Sequence, residues 1–211
     1  MTDDYLALGP GSTKSCLTVV ELGRRLARVP NKKFQRHGWR TGPGQMSTDD
    51  IDPFNGSGAK LSGGRYNPRN SFATAYIPLT RSVAGAELLR MARVGQNMQA
   101  ERLLPRFVYR VGISSNKALD LTNPRIRDHL GIGVEQLIGD DVRHPQLIGE
   151  LAHQLGFEVI IVPSVTGCGN LAVVLGSPAI KGLASQQVEA WFDLKDVPTW
   201  HAPPALESGI A

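Results

Sequence analysis

Between Ser62 and Met91 the chain reads SGGRYNPRNSFATAYIPLTRSVAGAELLRM, and two side chains in this stretch could do chemistry. Arg65 follows Gly63 and Gly64, residues that let a backbone take positive φ or approach another group closely. Its planar fork of donors suits phosphate oxygens. Glu87 lies four residues from both Val83 and Met91, so on a helix it shares a stripe with apolar side chains. A carboxylate on a core-facing stripe costs free energy unless something compensates it. Spacing alone leaves two readings of each residue. Glu87 can pair with Arg90, three residues on, which is the simpler reading, or it can be a catalytic carboxylate. The GGR run can be a turn carrying a solvated arginine or part of an anion site.

Other chemistries find little support. No G-x-G-x-x-G opens a helix after a strand and no G-x-x-x-x-G-K-[ST] occurs, which disfavours Rossmann and P-loop nucleotide binding. His37, His129, His144, His153 and His201 show no HExxH or clustered ligand spacing, so no metal site is expected. Ser164 stands in VPSV rather than in a G-x-S-x-G nucleophile elbow. Arg24, Arg25, Arg28, Lys32, Lys33, Arg36 and Arg40 crowd one segment with no acid after Glu21. They could attract nucleic acid, a nucleotide phosphate or an acidic partner, or form a solvated helix face and loop. Few aromatics interleave with them, so a nucleic-acid groove is disfavoured and most are read as solvated.

These residues need elements to position them. Residues 73–80, ATAYIPLT, suit a strand that Pro78 restricts to an edge or an end. Thr80 or Ser82 can cap a helix starting near Val83. Upstream, 15–28 suit a short helix with Leu17, Val20 and Leu26 on its apolar face, ended by Pro30. Residues 41–61 read as a long glycine- and proline-rich loop. FVYRVGI (107–113) and ALDLT (118–122) suit two strands, 124–139 a short helix, and Pro145 opens a helix that Gly156 stops. FEVIIVPSV (157–165) is the candidate central strand and NLAVVLG (170–176) its hairpin partner. Residues 187–200 suit a last strand or a segment packed over the core. The order implies an α+β fold with a small, mostly antiparallel β core and flanking helices.

The chain has 211 residues, 41% hydrophobic and 20% charged, with net charge +4, as expected for one soluble domain with extensions. It has no apolar run long enough to span a bilayer and no signal-peptide pattern after Met1, so a cytoplasmic location and no membrane partner are expected. Cys16 and Cys168 form no CxxC pair and are read as free thiols.

Taken together, several segments resemble one family. In order they are GWR (38–40), SGGRYNP (62–68), AY (75–76), AGAE (84–87), ALDLTNPRIRDHLGI (118–132), GDD (139–141), GFEVIIVPS (156–164) and GNLAVV (169–174). The sequence resembles the RES domain, the toxin half of Xre–RES toxin–antitoxin pairs, over roughly residues 36–178. The resemblance implies a fold like that of diphtheria-toxin-like ADP-ribosyltransferases. It divides the chain into an N-terminal extension with a short basic helix (1–35), a catalytic domain (36–182) and a C-terminal extension (183–211).

The family's chemistry then implies a site. Its GGR arginine falls on Arg65, its strand tyrosine on Tyr76, its glutamate on Glu87 and its serine on Ser164. An arginine near the domain start falls on Arg40 or, less well matched, Arg36. The usual tryptophan after GGR is Tyr66 here, still an aromatic able to stack. Members consume NAD⁺ by hydrolysis or phosphorolysis, and some transfer ADP-ribose to a protein. NAD⁺ is thus expected as substrate rather than prosthetic group, with inorganic phosphate a candidate co-substrate. Arg40 and Arg65 would hold the pyrophosphate, Glu87 would stabilise the cationic ribose as nicotinamide leaves, Tyr76 would contact nicotinamide, and Ser164 would bind the ligand or hold Glu87. The partner implied is an Xre-like antitoxin covering the pocket, with a homodimer of the toxin inside the complex as an arrangement it allows. A nucleotide-binding or interaction module without turnover is the reading from another class.

Overall fold

The computed structural model describes residues 18–43, 55–95 and 99–198. Expectations for 1–17, for 44–54 of the long loop, and for Trp200 and His201 lie outside the described residues. Six strands form one sheet: β1 (Lys32–Pro43), β2 (Thr74–Pro78), β3 (Arg106–Asp120), β4 (Val159–Pro163), β5 (Asn170–Leu175) and β6 (Ala184–Trp191), in the order β1-β3-β4-β5-β2, with β6 also on β3. β3 is a single 15-residue strand where the sequence suggested two, because Ser114-Ser115-Asn116 continues the extended chain instead of turning it. Its length gives it two successive neighbours. Arg106–Gly112 pairs antiparallel with β6, and Ala118–Asp120 pairs parallel with β4. The remaining pairs are antiparallel, including the expected β4–β5 hairpin with Val159 opposite Val174. β4 is internal and almost wholly buried, and β2 lies at the end of the order with Pro78 as its last residue.

β1 was not expected. Along it Phe34, Gly38 and Gly42 are buried, so glycines occupy two inward positions. A Cβ on Gly38 would collide with the Ile77 side chain and lie 2.8 Å from the Pro78 carbonyl oxygen. β1 and β2 therefore approach closely because no side chain separates them.

The helices are α1 (Val19–Ala27), α2 (Ser57–Ser62), α3 (Arg81–Arg90), α4 (Pro124–Leu130), α5 (Val134–Ile138), α6 (Arg143–Gln154) and α7 (Gly176–Lys181). Thr18 caps α1 by accepting from Glu21 N–H. α1 buries Leu22 and Leu26, whereas Val20, expected inside, is 70% exposed. Thr80 caps α3 through Val83 N–H, as its position suggested, and a π-helical turn at Met91–Gly95 continues the helix. One core lies under α1, α5 and α6, with Leu26, Leu137, Ile148 and Ile160 fully buried. Each such side chain contributes about 1.5–3 kcal/mol. A second core holds Phe34, Ile77, Val111 and Ile113; a third packs Leu88 of α3 against Val108 and Trp191.

The basic segment is partly neutralised within the fold. Glu21 binds Arg24 at 2.6 Å and Arg25 at 2.9 Å, and Lys32 reaches Asp120 at 2.6 Å. Arg28, Lys33 and Arg36 are exposed, in keeping with a solvated face.

Candidate active site

A cavity of about 740 Å³ opens between the Ser62–Tyr66 turn, α3, the facing ends of β1 and β3, and the loop after β4. Arg40, Arg65, Tyr66, Tyr76 and Glu87, all expected at the site, line it. Ser164 lies directly behind Glu87, while Arg36 is exposed on β1 and is not in the lining.

The two glycines do different work. Gly63 has φ +76°, a conformation open mainly to glycine. Gly64 lies against β2: a Cβ there would collide with the Tyr76 hydroxyl and lie 2.8 Å from Asn67 Oδ1. This closeness lets Tyr76 tie the turn down. Its hydroxyl accepts from Tyr66 N–H at 2.8 Å and donates to Asn67 Oδ1 at 2.9 Å. The buried Asn67 donates in turn to the Ala59 carbonyl of α2 at 2.7 Å, and Gln146 of α6 donates to the Gly64 carbonyl at 3.0 Å. Burial pushes the Tyr76 phenol well above its ordinary value, partly offset by the Tyr66 N–H and the Arg65 charge, so it stays a donor.

Arg65 is anchored as well as presented. Its Nη1 donates to the carbonyls of Gly139 at 2.5 Å and Leu137 at 3.3 Å, at the C-terminal end of α5. A guanidinium there also meets the negative end of the helix. Tyr66 departs from expectation. It lines the cavity but is only 1% exposed, with most of its ring packed among leucines and isoleucines of the first core.

Glu87 does not pair with Arg90. Among the described residues its partner is Ser164, whose hydroxyl donates to Oε1 at 2.6 Å. With that hydrogen committed, Ser164 Oγ is an acceptor toward Thr166, taking the backbone N–H at 3.1 Å and the hydroxyl hydrogen at 2.6 Å. Thr166 Oγ1 then accepts from the Cys168 thiol, 2.6 Å away. Each group has one hydrogen to give, so the chain Cys168→Thr166→Ser164→Glu87 runs one way and fixes the carboxylate's orientation. Thr166 went unnoticed in the sequence, where it reads only as a turn residue.

Arg90 and Arg106 also line the cavity. Arg106 escaped notice because it precedes the alternating run of β3 and reads as a polar flank after Pro105. Four arginines and one carboxylate therefore line the same cavity, an environment that suits a ligand with several negative charges and a centre that becomes cationic. Among the described residues no group of three or more His, Cys, Asp or Glu could hold a metal ion, and no helix is long and apolar enough to cross a membrane.

An arginine-lined cavity holding a hydrogen-bonded carboxylate thus lies between a glycine turn and the end of a central strand, and the class of protein follows from the family match. Residues 27–201 match the model of the RES domain, and the chain belongs to that family. Among its relatives are the NAD(+) phosphorylase MbcT of Mycobacterium bovis and that of Mycobacterium tuberculosis, 28% identical over 119 residues. That match takes in 56% of this chain and 64% of each relative, so the chain spans just under two thirds of their length. A second M. tuberculosis protein, named as probable NAD(+) phosphorylase Rv3189, is 29% identical over 157 residues, 73% of this chain and 71% of its own. A chain in the crystal structure of the M. tuberculosis MbcT-MbcA toxin-antitoxin complex superposes with TM-score 0.71 at 22% identity, over 84% of this chain and 96% of that one. At that identity the likeness is one of fold.

Proposed function

We propose that this chain is an NAD⁺-consuming toxin enzyme that cleaves the bond between nicotinamide and ribose. The observation that carries the reading is Glu87, held by Ser164 on the wall of an arginine-lined cavity. The names of the relatives favour phosphate over water as acceptor. As the C1′–N bond breaks, its electron pair goes to the nicotinamide nitrogen, which leaves neutral, and the ribose becomes oxocarbenium-like. The Glu87 carboxylate stabilises that charge and can bind a ribose hydroxyl. A phosphate oxygen then forms the new bond to C1′, giving nicotinamide and a phosphorylated ADP-ribose; with water, ADP-ribose and a proton result. Arg40 and Arg65 hold the pyrophosphate, and Tyr76 sets the turn that presents Arg65. A sheet-and-helix frame with this glutamate is in keeping with the ADP-ribosyltransferase-like fold suggested by the sequence. We assign the catalytic domain to 36–182, with α1 and β6 as additions that pack on it.

Purified protein given NAD⁺, with and without phosphate, should release nicotinamide, faster with phosphate, and label no protein. Labelling of a protein would move the reading to ADP-ribosyl transfer, and no turnover would leave a binding module. Glu87→Gln should stay folded and lose roughly a hundredfold or more in rate; nicotinamide release at the wild-type rate would remove Glu87 from the mechanism. The cytoplasm then needs protection from the enzyme. We assign that role to an Xre-like antitoxin that fills the cavity mouth with carboxylates, a contact that weakens with salt. Expression alone should deplete NAD⁺ and stop growth, and co-expression with the product of the adjacent gene should restore it.

A further inference from the structure

Arg106 brings a guanidinium with a buried, unmet donor to the cavity. It begins β3, opposite Pro43 of β1 on one side and Trp191 of β6 on the other. Its Nε is buried and meets no hydrogen-bond partner among the described residues. Burial pushes the guanidinium below its ordinary value, and no neighbouring carboxylate offsets this. A half-buried guanidinium with an unmet donor costs free energy unless an anion completes it. By contrast, Arg65 already spends Nη1 on two carbonyls, and the surface arginines Arg24, Arg25, Arg81 and Arg143 all have carboxylate partners.

Resting on the function proposed above, we infer that Arg106 receives the oxygens of a phosphate group in this cavity, whether inorganic phosphate or the pyrophosphate of NAD⁺. The charge count supports a place for the former. The pyrophosphate carries two negative charges, and Arg40 and Arg65 match them. Arg90 and Arg106 remain, both lining the cavity that Glu87 also lines. An attacking phosphate must approach a carboxylate of its own sign. A cation beside its path reduces that repulsion and orients the nucleophile, which water would not require. The planar fork of Arg106 can grip two oxygens at once.

The test compares wild type with Arg106→Gln and Arg106→Lys. Removing a buried charge without a partner should leave the fold intact, and lysine keeps the charge while losing the fork. Nicotinamide release is measured while phosphate is varied at saturating NAD⁺, and the reverse. A rise of roughly tenfold to a hundredfold in the half-saturating phosphate concentration, with the KM for NAD⁺ unchanged, assigns Arg106 to the nucleophile. A similar rise in the KM for NAD⁺ alone assigns it to the pyrophosphate. If neither moves by more than about twofold in the folded variants, the inference is overturned. Thermal unfolding with phosphate and no NAD⁺ separates this outcome from failure of the functional reading. If wild type cleaves no NAD⁺ but is stabilised by phosphate and Arg106→Gln is not, the anion site stands without the reaction. If phosphate stabilises both equally, and wild type cleaves no NAD⁺, both fail.

Discussion

Tyr66 and Tyr76 are neighbours with opposite bookkeeping. The Tyr66 hydroxyl is buried with no hydrogen-bond partner among the described residues, whereas that of Tyr76 has two. Tyr66→Phe should therefore cost nothing at neutral pH and gain up to about 1 kcal/mol, while Tyr76→Phe, leaving the Tyr66 N–H and Asn67 Oδ1 unmet, should cost about 1–3 kcal/mol. Urea midpoints check both, and an equal loss in the two would contradict the assigned partners. Both phenols titrate well above their ordinary value because burial disfavours the charged form. Above about pH 10 the unfolded chain gives up these protons while the folded chain keeps them. The unfolded state then binds fewer protons, so stability falls as pH rises through that window. Tyr66→Phe should make the decline shallower.

At the scale of elements, Arg65 links the glycine turn to α5 through two carbonyls. Arg65→Lys keeps the charge but is shorter and loses the planar guanidinium, so it should lower stability by about 1–3 kcal/mol besides weakening the NAD⁺ binding proposed above. A variant with unchanged melting temperature and weaker binding would limit Arg65 to the ligand. The strands that carry ordinary apolar side chains were legible: β2, the β4–β5 hairpin and the Thr80 cap stand where hydrophobic pattern and turn chemistry put them. β1 was not. Its burial is achieved by Gly38 and Gly42 rather than by branched side chains, so no alternation marks it. Glu87 on α3 and Ser164 after β4 became site candidates only through the family resemblance, since spacing alone favoured a Glu87–Arg90 pair and Ser164 sits in no nucleophile motif. Arg106 and Thr166 did not, since each acquires meaning only from groups far along the chain or from a hydrogen that a neighbour has already spent.

For the whole molecule, β3 is the axis. Arg106 sits where β3 is flanked by β1 near Pro43 and by β6 at Trp191, segments on opposite sides of most of the chain in sequence. A growing polypeptide therefore exposes Arg65, Tyr76 and Glu87 long before it can brace the strand that carries Arg106. Domains form as units during synthesis at about 5–20 residues per second, and pairing between distant strands comes late. On the function proposed above, full activity would thus wait until β6 is out, a delay in which an inhibitor made nearby could arrive first. Chains stalled with residue 191 still inside the exit tunnel should show the weakened phosphate dependence expected of Arg106→Gln, and the wild-type dependence should return once β6 is free to pair.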